Sequence, residues 1–337
     1  MSRLRPSPFL MSLVVLTLAL AVISLMLGPV RLSPGEVLAA LTGTTGDPVH
    51  AIIVRDLRLP RTLLAALIGA TLGLSGAALQ GLTRNPLADP ALFGAPQSAA
   101  FAAVALVSFA GFDILSFAVP VAGIIGALVS VTLLFTLTGR DAPMVVVLLA
   151  GLALSSLAGA LTALALNLAP NIYAALEIAF WLMGSLEDRS MQHLVLALPF
   201  MAAGSALMAL TAPSLRALSL GEDVAASLGV SVARTRALII LGVALGVGAA
   251  VAVAGAIGFI GLVAPHLVRA ATGHDPARTM GASAIAGAAL LLAADCAVRL
   301  APPTSDLKVG IVTALIGAPF FLALVARQRR LLAGDLP

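Results

Sequence analysis

The chain has 337 residues, 60% of them hydrophobic and 10% charged, with a formal net charge of +4. A soluble domain carries about 25% charged residues, so the composition excludes a protein whose main solvent is water and points to a polytopic membrane protein. A single cysteine, Cys296, excludes an internal disulfide and a cysteine-built zinc site, and His50, His193, His266 and His274 lack the close spacing of metal ligands.

Ten apolar segments follow in chain order, near 9–29, 62–82, 92–110, 114–138, 143–167, 192–212, 236–255, 257–271, 279–299 and 309–326, the eighth of them short. The first follows Arg3 and Arg5 as a signal peptide would. Its apolar run is too long for a usual one and no clear A-x-A site follows, so it reads as a retained helix. Pro34 to Leu41, after Ser33, reads as a short interfacial helix, because Ser-Pro is a helix-start signal. Ala174 to Leu186 carries Glu177 and Trp181 and is expected at a membrane surface, the depth tryptophan favours. No break in composition marks a linker. Residues 1–337 therefore read as one transmembrane domain, with the longest polar connection, 213–235, inside it.

An even number of spans places both termini on one side. With that side cytoplasmic, the inner segments hold Arg3, Arg5, Arg84, Arg140, Arg216, Arg234, Arg236, Arg269, Arg278, Arg327, Arg329 and Arg330. The outer segments hold Arg31, Arg55, Arg58, Arg61, Arg189, Arg299 and Lys308. Twelve against seven supports cytoplasmic ends, and membrane topology accounts for the arginines better than nucleic acid does. Arg55, Arg58 and Arg61 crowd the outer side against this trend.

Shifted by 179 residues, Gly69–Gly94 aligns without gaps on Gly248–Gly273, with seven identities that include Gly76/Gly255 and Pro86/Pro265. Transporters often repeat Gly/Pro-broken helices in two halves, inverted or parallel, and the alignment leaves the direction open. Gly255, Gly258 and Gly261 are spaced by three, as in a smooth strip along one helix face that lets another backbone approach. Pro265, like Asn85-Pro86 in the other copy, is expected to end or kink a helix. His266 and Arg269 then fall near the cytoplasmic end, where Arg269 snorkels to the surface and His266 reads first as a structural residue.

Catalytic and energy-coupling motifs are missing from the chain. Its only lysine, Lys308, follows Leu307 and precedes Val309, so no phosphate-binding G-x-x-x-x-G-K-[ST] loop is possible here. H-E-x-x-H and G-x-S-x-G are also absent, which argues against an intramembrane enzyme. An ion-coupled secondary carrier needs buried ionisable groups. The best candidate is Asp295, which reads as an ordinary helix-surface pair with Arg299 at i+4.

The stretches RLPRTLLAALIGATLGLSGAALQGLTRNPLADPALFG, LGEDVAASLGVSVARTR, VAVAGAIGFIGLVAPHLVR and LKVGIVTALIGAPFFLAL closely resemble the permease subunits of type II ABC importers, which take up iron–siderophore complexes, haem and cobalamin. The resemblance implies an all-α membrane protein of about ten transmembrane helices, some short or broken, in two inverted halves. It implies a transport subunit rather than an enzyme, in the bacterial inner membrane, that binds no cofactor and no metal of its own. ATP and Mg would sit in two partner ATPase subunits. A second permease copy or paralogue would complete the pore, and a periplasmic or lipid-anchored binding protein would deliver the cargo, most often a ferric siderophore in this family.

Three sites follow from the same resemblance. Leu220, Gly221, Glu222, Asp223, Val224, Ala225, Leu228 and Gly229 match the cytoplasmic coupling helix that presses on the ATPase. The residues suit that role: two glycines bound a short helix, acids occupy its first turn where the dipole favours them, and Val224 and Leu228 make an apolar i, i+4 pair. Arg58, Arg61 and Arg299 match arginines of the outer mouth that receive carboxylates of the binding protein. Met144 and Val145 fall where the family narrows its pore, with apolar residues in place of the small hydroxyl residues of some relatives.

Overall fold

The computed structural model describes residues 8–114, 116–139, 142–302 and 306–333. Arg3, Arg5, Arg140 and Asp141 lie outside the described residues. The described residues are mostly helical. Helix α1 (Pro8–Met26) leads to a short α2 (Pro34–Thr42), then α3 (Pro48–Ile52) continues through a π turn (Ile53–Arg58) into α4 (Leu59–Thr83). A 3-10 turn (Pro90–Phe93) precedes α5 (Ala95–Ala110), α6 (Ala118–Thr138), α7 (Met144–Asn167) and α8 (Ile172–Leu182). Then come α9 (Met191–Ala209), α10 (Ala212–Leu218), α11 (Glu222–Ser227) and α12 (Val232–Ala254). The chain closes with α13 (Ile260–Arg269), α14 (Pro276–Leu300) and α15 (Val309–Ala333).

Every apolar segment of the sequence forms a helix, but among the described residues only eight helical runs are long and apolar enough to cross a membrane. The third and eighth segments fall short. At 1.5 Å per residue, α5 and α13 span roughly 24 and 15 Å. Hydropathy counted residues that unwind into the connections before them. One runs through Asn85-Pro86, where Arg84 turns left-handed and Asn85 Oδ1 accepts from the Leu87 amide at 2.9 Å. The other occupies residues 255–259, with Gly255 and Phe259 at φ +71° and +67°.

The second break corrects two expectations. Gly255 ends α12, Gly258 lies in the connection and Gly261 lies inside α13, so they form no common strip. Pro265 does not end its helix either, since α13 runs on to Arg269. The break sits ten residues earlier because other backbone satisfies it. The Ser185 amide donates to the Ala254 carbonyl at 2.8 Å, and the Gly310 amide donates to the Gly184 carbonyl at 3.2 Å.

Close backbone approach fixes the centre. Gly69 and Gly73 of α4 face Gly287 and Ser283 of α14, and a Cβ on either α4 glycine would overlap the opposing carbonyl. Small residues four apart on both helices are the usual means of bringing membrane helices into contact. Gly76 meets Gly261 of α13 in the same way. The Ser33 cap is as the sequence predicts: Ser33 and Glu36 form a reciprocal capping box at the start of α2. Trp181 departs from expectation. It is buried with Ala103, Val104, Val119 and Ala165 in a core formed with α5, α6 and α7, so it is a packing residue and not an interfacial anchor.

Candidate transport machinery

At the end of the bundle where α1 finishes and α4 begins, a cluster of charge is turned inward. Asp295 is fully buried. Its Oδ1 accepts from Arg61 Nε at 2.8 Å, and its Oδ2 accepts from Arg299 Nε and Nη2 at 2.9 and 2.6 Å. The sequence-level reading as a surface pair is therefore corrected. Arg61 lies 234 residues away and was invisible to an i, i+4 argument. Arg299 Nη1 also donates to the Ser24 carbonyl at 2.8 Å. Arg58 donates to the carbonyls of Leu25 and Met26 at 2.9 Å each, and to that of Val30. These are carbonyls at and just beyond the end of α1, which a helix leaves without internal partners and where the dipole favours cations.

This placement bears on docking. Arg58 is buried, and the Arg299 side chain is only 6% exposed, against 17% for Arg61. Arg61 and Arg299 already hold a carboxylate of their own chain, so an incoming one must compete with Asp295.

A second polar group ties the broken half together. Gln80, buried on α4, brings Nε2 within 3.5 Å of the carbonyls of Ala88 and Gly261. The Gly261 carbonyl is available because Pro265, four residues on, has no N–H to donate to it. Arg269 at the end of α13 donates through Nη2 to Gln80 Oε1. Arg269 was expected to snorkel outward and instead turns in. The sequence did mark Pro265 and Arg269 as unusual, but nothing in it pointed to a glutamine 189 positions earlier. The His266 ring meets Phe320 of α15 edge-on at 5.1 Å between centroids.

On the opposite side, α11 stands between two glycines with left-handed or similar backbone, Gly221 at φ +113° and Gly229 at φ +81°. The Val230 amide donates to the Ala225 carbonyl at 3.0 Å, closing the helix with the bond that such a glycine makes possible. Ala225 is fully buried and anchors the helix. Leu220, Val224 and Leu228 point outward, 65%, 43% and 63% exposed. Glu222 pairs loosely with Arg84 at 3.8 Å, and Asp223 shares the first turn. Behind α11, Arg216 of α10 pairs with Asp275, the N-cap of α14, at 2.7 Å. Burial tends to raise the Asp275 pKa, but hydrogen bonds from Arg216 and the Arg278 amide outweigh it and hold the carboxyl below its usual range.

Close by, the turn between α6 and α7 is held by Arg236 of α12, which donates through Nη1 to the Ala142 carbonyl. Met144 starts α7 half-buried against the core, and Val145 is 65% exposed. Above them the exposed surface of α7 mixes small and polar residues, Ser156, Gly159, Ala163 and Asn167, with the aliphatics Leu149, Leu152, Leu157 and Leu164. The sequence reading did not single out this face or Arg236.

Both the sequence and the fold match known proteins. The sequence profile described as the FecCD transport family matches residues 16–327. The chain belongs to the FecCD transport family. It is 39% identical to the ferric enterobactin transport system permease protein FepD of Escherichia coli, over 96% of this chain and 95% of FepD. It is 40% identical to the cobalamin import system permease protein BtuC of Halobacterium salinarum, over 81% of this chain and 73% of that protein. The hemin transport system permease protein HmuU of Yersinia pestis is 35% identical, over 98% of this chain and 99% of HmuU. Among solved structures, an inward-facing metal-chelate type ABC transporter superposes with a TM-score of 0.84 at 33% identity, covering 95% of this chain and 99% of that one. The chain is thus a multi-pass membrane permease of the metal-chelate ABC importer type, and the fold expected from its sequence is the fold observed.

Proposed function

We propose that this permease carries a ferric siderophore across the bacterial inner membrane by alternating access, with both termini cytoplasmic. Two ATPase subunits bind its cytoplasmic face, a second permease copy or paralogue completes the pore, and a periplasmic or lipid-anchored binding protein docks outside. The observation that carries this reading is α11. It is a six-residue helix closed at its C-terminus by the Gly229 turn, with Val224 and the flanking Leu220 and Leu228 exposed beside charged groups. Exposed apolar surface rimmed by polar residues marks a protein contact. With no phosphate-binding loop in this chain, the contact fits an ATPase that holds ATP and Mg. Met144 and Val145 form the cytoplasmic gate in this reading, closing the path by dewetting. Arg61, the most accessible of the outer arginines, leads docking, while Arg58 and Arg299 hold α1 in place behind it.

Cobalamin or haem is the second reading of the cargo, favoured by similar identities to permeases named for those ligands. A self-sufficient secondary carrier loses its best candidate coupling carboxylate, because Asp295 is held between two guanidinium groups. The deciding experiment reconstitutes the permease with its ATPase and binding protein and measures ATP-dependent uptake of a ferric siderophore, haem and cobalamin. Uptake of the siderophore alone supports the first reading. Uptake of only one of the others replaces it, and accumulation by the permease without an ATPase removes the importer reading altogether.

A further inference from the structure

A groove of about 600 Å³ opens on the flank of the bundle between α1, α4, α9 and α14, within the roughly 300–1,000 Å³ of clefts that hold small molecules. Its walls include Leu18 of α1, Ala66 and Ala70 of α4, Leu198 of α9, and Ala284 and Ile285 of α14. Its one hydroxyl, Thr17 Oγ1, is spent on the Leu13 carbonyl at 2.8 Å. Water entering such a space finds no partners. The surface beside the groove is made of exposed aliphatics of α1, among them Val15, Leu16 and Val22. Such a surface faces hydrocarbon.

Charge singles out the occupant further. Helices α4 and α14, which line the groove, also carry Arg61, Arg299 and Asp295, where two guanidinium groups share one carboxylate, and Arg58 stands nearby on the carbonyls that end α1. Both guanidinium groups meet at Asp295, which lies seven residues beyond the groove residue Ala288 on the same face of α14, roughly 10 Å at the helical rise. An apolar tail in the groove thus ends near an excess of guanidinium charge.

We infer that the groove is a binding site for a membrane phospholipid, with one acyl chain between α1 and α9 and the phosphate toward Arg61. Small alanines on α4 and α14 leave the space that the chain fills. The bound lipid completes the packing of α1, which is otherwise held mainly by its contact with α14 and by the arginines at its end.

The test is native mass spectrometry of the intact permease in dodecyl maltoside, titrated with dioleoyl phosphatidylglycerol or with the matching diacylglycerol. The wild type is expected to retain one phosphatidylglycerol per chain and to hold the diacylglycerol less well. Ala66→Leu with Ala70→Leu, or Leu198→Phe alone from the opposite wall, is expected to lower retention about tenfold or more, a loss of ~1.4 kcal/mol or more. Arg61→Gln should remove the preference for phosphatidylglycerol over diacylglycerol. Equal retention by wild type and by both groove variants would overturn the inference, as would no adduct on the wild type. Displacement of the lipid by inorganic phosphate would assign the cluster to a free anion, and a co-purifying polypeptide lost on groove filling would assign the space to a partner helix. Either result overturns the lipid site.

Discussion

The two ends of the bundle use charge in opposite ways. At the end where α1 finishes, Arg58 and Asp295 are buried, Arg61 and Arg299 are nearly so, and the four groups are taken up by one another and by the carbonyls of α1. At the end where α4 finishes, Glu222, Asp223 and Arg84 are exposed, Glu222 pairs only loosely with Arg84, and apolar side chains face outward. Buried charge of the first kind contributes to shape, because removing one partner strands the others in a low dielectric. Exposed apolar groups of the second kind contribute little to the fold of the lone chain and are free to bind. One end is built to stay, the other to be grasped.

Substitutions can break this contrast. The largest effect is expected at Asp295→Ala, which leaves Arg61 and Arg299 buried without their counter-ion and should destabilise the fold by about 3–5 kcal/mol, read as a lowered thermal midpoint in detergent. Stability within ~1 kcal/mol of wild type would mean that the outer cluster is not structural. Leu228→Glu is expected to leave the midpoint nearly unchanged, within about 0.5 kcal/mol as for other surface changes, while abolishing transport-coupled ATPase stimulation. Normal coupling in that variant would remove α11 from the ATPase contact. Arg61→Glu should weaken capture of the binding protein by about tenfold at low salt, with the difference shrinking as salt rises; an affinity indifferent to this change would confine Arg61 to holding Asp295. The smallest effect is expected at Asp275→Asn. Asparagine keeps the helix cap and loses only the half-exposed pair with Arg216, so the cost should stay below about 1 kcal/mol. Because the carboxyl is held below its usual pKa, that contribution is present at neutral pH and lost only as pH falls through the lowered value.

What the sequence displayed were properties carried by neighbours along the chain. Ser33-Pro34 announced α2, Gly221 and Gly229 announced the limits of α11, and apolar run length located the long helices. What it hid were properties carried by residues far apart. Asp295 looks superficial beside Arg299 alone and becomes buried only once Arg61 is brought against it. Trp181 looks interfacial until α5 and α7 cover it. The glycines after Val253 suggested one smooth helix face, because a regular spacing cannot reveal that Phe259, a residue with a side chain, adopts a left-handed backbone and splits the segment. Gly76 was marked as a packing glycine and is one, but its partner Gly261 came from α13 and not from a continuous strip.

The bond from Arg236 to the Ala142 carbonyl joins positions 94 residues apart. Arg236 stands barely a turn into α12, which follows directly on α11, and Ala142 stands two residues before α7. A push on the exposed leucines of α11 therefore has almost no slack to take up before it reaches the foot of α7. In the proposed mechanism, power stroke and valve are mechanically adjacent, and the force between them need not travel through the hydrocarbon interior at all.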